Sequence, residues 1–420
     1  MHKFNKWVYF IATSLLLIGC GGGSSTSSCS IEEQNSFVYN YMQKNYLWYE
    51  QIPTVDYKSY NSPEALLEDL KAPLDKWSFI IDKKSLDDYF SGGEYIGYGF
   101  QKIKKDNKLY IALVFPNSPA QEAGLKRGMQ ILKINGKSVD SMSDEELNSA
   151  LGEDKVGVEA TLEVSDNGVI KSITMSKSVV KISSVIAKKI LSIDGKRYGY
   201  LMFNSFIEPS FNELDSAFKY FKDENVDSLI IDLRYNGGGL LSVANHLANL
   251  MVGNIYSGSE FVELHFNDKN SNLNRKYTLQ SSSYSLGIDE VYFITTSYSC
   301  SASEAVINGL KPYINTYIIG QRSCGKPVGM VGGEFCSKYI MPIEFKILNS
   351  ADEGDYFDGI ATNCTADDDI TKDFGDLEEG MLKEVKYFIE NSRCSLGSNR
   401  ALRVIKSPTL KGFKSIFNLD

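Results

Sequence analysis

The sequence predicts a multidomain α/β protein: a small helical region, then a mostly β region with short helices, then an α/β region with a largely parallel sheet. Three patterns predict this. Residues 29–90 carry apolar and aromatic side chains at helical spacing. Short strand-like runs punctuated by glycine begin at residue 96. From about residue 181 strands alternate with helices, which favours βαβ units.

Composition excludes some functions. The chain has 420 residues, 43% of them hydrophobic, which is enough for several cores. Its net charge is −9, so it lacks the basic surface that binds nucleic acid, and no nucleic-acid partner is expected. It has three histidines (His2, His246 and His265), too few for a multi-histidine metal cage once the N-terminus is removed. We therefore expect no metal and no cofactor.

The N-terminus has the pattern of an export signal. Residues 1–20 begin with basic side chains, and the apolar stretch Trp7–Ile18 is too short to span a bilayer. Leu17–Cys20 resembles the lipobox of bacterial lipoproteins, which implies that Cys20 is acylated and becomes the first mature residue. Plain secretory cleavage is the alternative. Residues 21–28 would then be a Gly/Ser tether, and the protein a lipid-anchored protein of the bacterial cell envelope, at the outer membrane or cell surface or facing the periplasm.

Six cysteines remain after Cys20, an even number that suggests disulfides in an oxidising compartment, although 15 pairings are possible. Cys324 and Cys336 flank one glycine-rich loop, so we predict a disulfide between them. Cys364 and Cys394 bracket the C-terminal helix and form the second predicted pair. Cys29 and Cys300 are left unassigned.

The chain divides into four predicted parts after the tether: a helical cap (29–92), a β region (93–178), an α/β core (179–395) and a C-terminal tail (396–420).

In the β region a short helix within Asn117–Gly128 ends at glycine, and Asn135-Gly136 indicates a hairpin. This pattern resembles a PDZ domain of the kind found inside bacterial proteases. The run Gly97, Tyr98, Gly99 and Phe100 lies where a PDZ carboxylate-binding loop would be. The resemblance implies that these N–H groups bind a peptide's terminal carboxylate while the next strand pairs with the peptide. A tight glycine turn without a ligand is the alternative.

Three loops of the α/β core follow the carboxyl ends of predicted strands, where open α/β sheets bind ligands. They are Asn236–Gly239, Ser299–Glu304 and Ser323–Lys326. Ser301 and Lys326 can approach one another because adjacent strands lie about 4.8 Å apart. Ser301 also precedes a helix, whose N-terminal N–H groups face out from the sheet edge.

A lysine acts as a base only when it is neutral, which requires a lowered pKa. No Asp or Glu occurs between Glu304 and Glu334, and Val328, Met330 and Val331 are apolar. This composition predicts a lowered pKa for the lysine at 326. N–H groups of Ala302 and of Gly237 or Gly238 are candidate oxyanion donors.

The motifs Asp232–Gly239, Ser299–Glu304 and Gly325-Lys326 resemble those of the C-terminal-processing (tail-specific) peptidases, over about residues 35–390. Members are serine proteases with a Ser/Lys dyad and a PDZ domain ahead of the core. The resemblance implies polypeptide substrates, bound through their C-termini.

By the same resemblance Ser301 is the nucleophile, Lys326 the general base, and Ala302 with Gly237 or Gly238 the oxyanion hole.

One departure is Met330, which stands where many members have a glutamine four residues after the lysine. It favours an alternative function, a catalytically impaired PDZ lipoprotein that binds peptides or glycans. Retention of both Ser301 and Lys326 argues against that alternative.

Two other enzyme classes fit less well. Residues 320–326 match a phosphate-binding P-loop up to its lysine, but Pro327 supplies neither a hydroxyl nor an N–H. A Ser/His/Asp hydrolase would need His246 or His265, which lie among apolar residues of a predicted helix and strand and are interpreted as structural.

Overall fold

The structure is a computed structural model that describes residues 29–397, 417, 419 and 420. The predicted signal segment with Cys20, the tether and most of the C-terminal tail lie outside the described residues. Within the described part, no helix combines the length and the apolar composition needed to span a bilayer.

The N-terminal region is built on two packed helices. Helix α1 begins at a capping box, in which Ser30 Oγ accepts the Glu33 N–H and the Glu33 carboxylate accepts the Ser30 N–H. The buried face of α1 includes Val38 and Met42, and it packs in one apolar cluster with Leu66. The elements are α1 (Ile31–Asn45), α2 (Pro63–Leu70), β1 (Phe79–Asp82) and α3 (Lys83–Asp87), with 3₁₀ turns at Tyr49–Gln51 and Tyr57–Ser59 and a π turn at Asp88–Gly92.

Strand β1 departs from the helical pattern predicted for residues 29–92. It pairs antiparallel with residues Lys338–Met341 of the core, with Phe79 opposite Met341 and Asp82 opposite Lys338. The run Phe79-Ile80-Ile81 is aromatic and β-branched, and it pairs with one edge of β19, whose other edge pairs with β18, so tertiary pairing decides its conformation. The N-terminal region is thereby joined to the core through hydrogen bonds as well as apolar packing.

The central region is mostly β structure around its own core, which includes Phe100, Ile111, Ile131 and Leu162. Its main sheet has the order β3-β4-β5-β7-β8, and β2 pairs separately with β9. The elements are β2 (Glu94–Gly97), β3 (Phe100–Lys105), β4 (Lys108–Val114), α4 (Pro119–Glu122), β5 (Gln130–Ile134), β6 (Lys137–Ser138), α5 (Asp144–Ala150), β7 (Glu159–Asp166), β8 (Val169–Ser176) and β9 (Ser178–Lys181).

The core region contains the sheet that positions the functional loops. Its order is β10-β11-β12-β15-β16-β21, and every pair after the antiparallel β10-β11 pair is parallel. The predicted α/β multidomain fold with a largely parallel core sheet is therefore confirmed. The elements are β10 (Val185–Ile193), β11 (Lys196–Phe203), α6 (Ser210–Asp223), β12 (Ser228–Asp232), α7 (Leu241–Tyr256), β13 (Glu260–Phe266), β14 (Arg275–Thr278), β15 (Glu290–Thr295), α8 (Ala302–Leu310), β16 (Asn315–Gly320), β17 (Val328–Gly329), β18 (Gly333–Phe335), β19 (Lys338–Met341), β20 (Phe345–Asn349), β21 (Cys364–Thr365) and α9 (Gly380–Asn391), with a 3₁₀ turn at Asp268–Leu273.

Both faces of this sheet are covered. Alternate side chains of β12 enter different apolar clusters: Leu229 and Ile231 pack with residues of α6, α7 and α8, while Ile230 packs with Met381 and Leu382 of α9. Burial on both faces explains why the central strands are continuous apolar runs. It also leaves the carboxyl-end edge as the place where loops from β12, β15 and β16 meet.

The disulfides correct one prediction. Cys324 pairs with Cys300, and Cys336 pairs with Cys29, so the predicted Cys324–Cys336 bridge is wrong. The physical reason is the sheet: β15 and β16 are adjacent, which brings the loops after them together although their cysteines are 24 residues apart. Cys364 and Cys394 are joined as predicted, across 30 residues.

Candidate active site

Ser301 lies at a sharp turn between β15 and α8. Its backbone has φ 56° and ψ −111°, a combination that costs a non-glycine residue strain energy. Such a turn places the residue at the exposed end of the strand and directs the next N–H groups, beginning with Ala302, outward from the first turn of α8. Strain of this kind persists only when the surrounding contacts stabilise it.

Lys326 follows β16 and is 5% exposed. Burial lowers the pKa of its ammonium to about 8, while the charges of Asp75 and Glu304 act in the opposite direction. Its Nζ lies 3.9 Å from Met330 Sδ, a weak acceptor, and no carboxylate in the described residues forms an ion pair with it. Met330, the residue that departs from the family pattern, therefore contacts the amine itself.

Glu304 connects the loops that carry these two residues. Its Oε2 accepts the backbone N–H of Ser301 at 3.0 Å and that of Lys326 at 2.8 Å. Its Oε1 accepts the Gly325 N–H at 2.8 Å and the Ser323 hydroxyl at 2.5 Å. Burial raises the pKa of the Glu304 carboxyl, and the four donors oppose that shift.

The prediction that no carboxylate lies near Lys326 was therefore wrong. The sequence between Glu304 and Glu334 has no carboxylate, but Glu304 in the first turn of α8 returns to the backbone of Lys326. A usable signal existed, because Ser301 and Glu304 have the spacing of a capping box. The lowered pKa of Lys326 still has the predicted direction, because burial outweighs the attraction of the carboxylate.

The Cys300–Cys324 disulfide is a second link between the same loops. Cys300 directly precedes Ser301, and Cys324 is two residues before Lys326. The Cys324 N–H also donates to the Ser299 carbonyl at 3.0 Å. A covalent bond and backbone hydrogen bonds thus fix the distance between the two loops.

The glycine loop after β12, Asn236–Gly239, packs directly on the loop Ser299–Glu304. The carbonyl of Asn236 accepts the Cys300 N–H at 3.0 Å and the Ser303 hydroxyl at 3.0 Å. Gly238 has φ 103°, and a Cβ there would lie 2.7 Å from the Cys300 carbonyl oxygen and 2.9 Å from Ser301 Cβ. Only glycine allows this approach.

The two candidate glycines differ in their hydrogen bonds. The Gly238 N–H donates to the side-chain oxygen of Asn236 at 2.9 Å. No group of the described chain accepts the N–H of Gly237 or of Ala302. These two N–H groups are therefore available to a ligand.

A buried ionic cluster lies next to the glycine loop. Arg234 donates to Asp232 at 2.7 Å, to Asp368 at 2.7 Å and to Glu379 at 2.9 Å. Arg127 of the central region also pairs with Asp368, at 2.5 Å. Burial raises the pKa of the Asp368 carboxyl, but Arg234 and Arg127 outweigh it and bring the pKa to about 2. Arg127 also donates to the hydroxyl of Tyr235, at 2.8 Å, so the cluster joins the central region to the residues just before the glycine loop.

A cavity of about 410 Å³ brings the predicted groups together. Ser301, Lys326 and Gly237 line it, with Met330 and Val331 among its apolar walls. Neither His246 nor His265 lines this cavity. His246 Nε2 lies instead 2.8 Å from Asp215 Oδ1, which joins α7 to α6.

The Gly97–Phe100 loop holds a carboxylate. The Tyr98 N–H and, at 3.1 Å, the Gly99 N–H donate to Oδ2 of Asp420, and the Tyr95 hydroxyl donates to Oδ1. A Cβ on Gly97 would lie 2.3 Å from the Tyr95 ring and 2.7 Å from Asp420 Oδ1, so the missing side chain makes room for both. The sequence did not predict this contact with the tail.

Comparison with known proteins gives three matches along the chain. Residues 33–79 match the Peptidase S41 N-terminal domain, residues 95–176 match a PDZ domain, and residues 197–345 match Peptidase family S41.

Among curated proteins, a "Probable CtpA-like serine protease" of Staphylococcus aureus is 28% identical over 274 residues, which is 65% of this chain and 52% of that protein. A protein of the same description from Staphylococcus saprophyticus is 25% identical over 72% of this chain and 60% of its own length. The matched part therefore spans little more than half the length of these relatives.

Two solved structures share the architecture. A putative S41 protease from Bacteroides fragilis has a TM-score of 0.69 and 25% identity, covering 84% of this chain and 97% of its own. A photosystem II D1 C-terminal processing protease has a TM-score of 0.55 and 18% identity, covering 85% and 97%, and this likeness concerns the fold. The three matches, together with the fold shared with the S41 protease of Bacteroides fragilis, show that this chain contains a Peptidase family S41 region, preceded by the Peptidase S41 N-terminal domain and a PDZ domain.

Proposed function

We propose that this protein is a serine endopeptidase of the tail-specific type, with Ser301 as nucleophile and Lys326 as general base. One observation carries the proposal. A serine hydroxyl and a buried amine with a pKa of about 8 line the same cavity, and Glu304 binds the backbone N–H groups of both residues.

The proposed chemistry is acyl transfer. Ser301 Oγ attacks the carbonyl carbon of the peptide bond, and neutral Lys326 Nζ takes the hydroxyl proton. The tetrahedral intermediate collapses, the C–N bond breaks, and the lysine ammonium returns the proton to the leaving amine. Water then hydrolyses the acyl-enzyme with the same lysine as base.

We assign the oxyanion hole to the N–H groups of Ala302 and Gly237. Both lack an acceptor within the described chain, whereas the Gly238 N–H is already donated to Asn236. Gly238 then serves by its lack of a side chain, because it lets the glycine loop approach Ser301.

Substrate selection is the proposed role of the PDZ domain, which we place at residues 93–178 ahead of a protease core at 179–395. The Gly97–Phe100 loop already binds a carboxylate through two backbone N–H groups, which supports recognition of substrate C-termini. Affinity for a test peptide should fall when its C-terminus is amidated. Equal binding of acid and amide would contradict this role.

We also propose that the protein works in the bacterial cell envelope, anchored through acylated Cys20. Three disulfides in the described residues support an oxidising compartment. Detergent-phase partitioning should depend on Cys20, and the Cys20→Ser variant should remain unprocessed. A processed and equally membrane-bound variant would exclude the lipid anchor.

The catalytic proposal is tested with an acylating serine-hydrolase probe. We expect covalent labelling of the wild type and no labelling of Ser301→Ala. Ser299→Ala is unsuitable as a control, because the Ser299 hydroxyl forms hydrogen bonds with the loop backbone. Ser242→Ala, which lines the same cavity, is the matched control and should still be labelled. Equal labelling of Ser301→Ala would show that another residue reacts. An unlabelled wild type that still binds peptides would favour the impaired-protease alternative that Met330 suggests.

Natural substrates follow from a proteomic comparison of C-termini in cells that carry the wild type or Ser301→Ala. New C-termini that depend on Ser301 would identify them.

A further inference from the structure

Phe417, Leu419 and Asp420, near the C-terminus, contact both the Gly97–Phe100 region and the active-site cavity. All three residues of this segment are buried: Phe417 is 8% exposed, Leu419 3% and Asp420 1%. The segment reaches two places that the proposed function assigns to substrate. We propose that Phe417, Leu419 and Asp420 form an internal ligand that occupies the PDZ carboxylate site and one wall of the active-site cavity, so that substrates must displace it.

Asp420 provides the polar end of this ligand. Its side-chain carboxylate accepts from the Tyr98 and Gly99 N–H groups and from the Tyr95 hydroxyl. Hydrogen bonds to an ionised carboxylate are roughly twice as strong as those between neutral groups, and Asp420 is only 1% exposed. These are the same N–H groups that a substrate carboxylate would need.

The backbone of the segment is bound by the first residues of β3. Gln101 Nε2 donates to the Phe417 carbonyl at 3.3 Å, and Lys102 Nζ donates to the Leu419 carbonyl at 3.3 Å. Leu419 enters the apolar cluster that contains Leu113. Two side chains of β3, the strand that follows the loop, thus hydrogen-bond to carbonyl groups of the segment.

Phe417 provides the apolar end. Its ring centroid lies 4.7 Å from that of Tyr89 and 5.6 Å from that of Phe90, and its side chain lines the cavity that contains Ser301 and Lys326. Residues 417 and 420 are three positions apart and their Cα atoms can be separated by at most about 11 Å, so the carboxylate loop and the cavity wall lie close together. A substrate bound by its carboxylate would therefore meet Phe417 on the way to Ser301.

Covalent attachment makes this ligand a strong competitor. A ligand on the same chain acts at an effective concentration on the order of millimolar, without dilution. If a free peptide has the same intrinsic affinity for the site as the segment, it must exceed that concentration to displace the segment. Removing the segment's contacts should therefore raise the apparent affinity of the site for peptides.

Binding is measured in a full-length Ser301→Ala background, so that no probe is cleaved. The probe is a fluorescent peptide with the sequence of residues 411–420, and the comparison is between the intact tail and the Phe417→Ala/Asp420→Ala double variant. We expect at least tenfold tighter binding to the double variant. A probe with Asn in place of the last Asp should bind that variant at least tenfold more weakly.

Two controls keep the test decisive. Leu396→Ala, which removes a fully exposed side chain, should bind the probe as the intact protein does. Asp420→Asn keeps the shape of the side chain and should also bind the probe more tightly than the intact protein does. This single variant decides the question if the double variant misfolds. Equal affinity of intact and tail-variant proteins, or no binding to either, would overturn the internal ligand.

The consequence for turnover rests on the proposed function. With Ser301 present, the tail variants should lower KM for a peptide substrate at least fivefold with little change in kcat. An inactive wild type and inactive tail variants would remove the proposed peptidase, while the binding experiment would still decide on the internal ligand.

Discussion

One carboxylate oxygen of Glu304 accepts the backbone N–H of Lys326 at 2.8 Å, and the same oxygen accepts the N–H of Ser301 at 3.0 Å. A single buried side chain therefore sets the positions of both proposed catalytic residues without touching either reacting atom. The negative charge of Glu304 also raises the pKa of the lysine, against the larger effect of burial. The position of the Lys326 backbone and the pKa of its amine thus both depend on Glu304.

Glu304→Gln should lower kcat about 10- to 100-fold and shift the rising limb of the pH–rate profile to lower pH. The amide presents a donor where the loop N–H groups need an acceptor, and the lost charge no longer raises the pKa of Lys326. KM should change little. The exposed Glu334→Gln should leave both the rate and the profile unchanged. A slower enzyme with an unshifted profile would mean that Glu304 only stabilises the fold.

The pH dependence of the wild type should follow Lys326. A base must be neutral, and burial lowers the pKa of this amine to about 8, so kcat/KM should rise through pH 8 and level off above it. Lys326→Arg should be as inactive as Ser301→Ala, because a guanidinium keeps its proton. Replacing His246 and His265 by Gln should leave the profile in place. Near wild-type turnover by Lys326→Arg would exclude the dyad.

The Cys300–Cys324 disulfide should matter for rate as well as for stability. Its loop closes 24 residues and that of Cys364–Cys394 closes 30, so removing either should cost a similar unfolding free energy, about 3–4 kcal/mol. Only the first joins the loops of Ser301 and Lys326. We expect the Cys300→Ala/Cys324→Ala variant to lose most of its kcat and the Cys364→Ala/Cys394→Ala variant to keep it. Both are assayed at a temperature at which urea melts show that they are folded. Equal losses of kcat would assign the first disulfide to stability alone.

Much of this architecture could be predicted from the sequence, because it depends on local patterns. The loops containing Gly237, Ser301 and Lys326 follow apolar β-rich runs, and parallel strands bring such loops to one edge. The partners of Cys300 and Cys324 could not be chosen, since 15 pairings are compatible with six cysteines. Their partnership depends on which strands become neighbours.

Contacts made by distant segments were also beyond local patterns. Strand β1 was predicted as helix because its pairing partner, Lys338–Met341, is more than 250 residues away. The contact of Asp420 with Tyr98 and Gly99 joins positions more than 300 residues apart, and neither sequence run indicates the other. The contact of Glu304 with the Ser301 backbone could have been predicted, because the spacing of these two residues is that of a capping box.

Acid should lower the free energy of unfolding by protonating Asp368. Its pKa is about 2 when folded and about 3.9 when unfolded, so its stabilisation is complete above pH 4 and is lost as the pH falls through 2. The contribution is roughly 2–3 kcal/mol at neutral pH. The difference in unfolding free energy between wild type and Asp368→Asn, from urea melts, should narrow as the pH falls from 5 to 2. For the exposed Asp373→Asn, the difference in unfolding free energy from the wild type should be small and independent of pH. A pH-independent difference for Asp368→Asn would show that the Asp368 carboxylate does not link stability to pH.

The last prediction concerns the contact between the glycine loop and the loop that contains Ser301. Gly238→Ala places a Cβ 2.7 Å from the Cys300 carbonyl oxygen and 3.0 Å from the Ala302 nitrogen, so the loops must separate. Gly258→Ala is the matched control, because it has a similar positive φ of 88° but nothing within 4 Å of the added Cβ. Both variants carry the backbone cost of about 1–2 kcal/mol for a non-glycine residue with positive φ. Peptide turnover should fall at least 100-fold for Gly238→Ala, because a displaced oxyanion donor costs that much, and should persist for Gly258→Ala. Equal activity of the two variants would show that the close approach of Gly238 to the Ser301 loop has no part in catalysis.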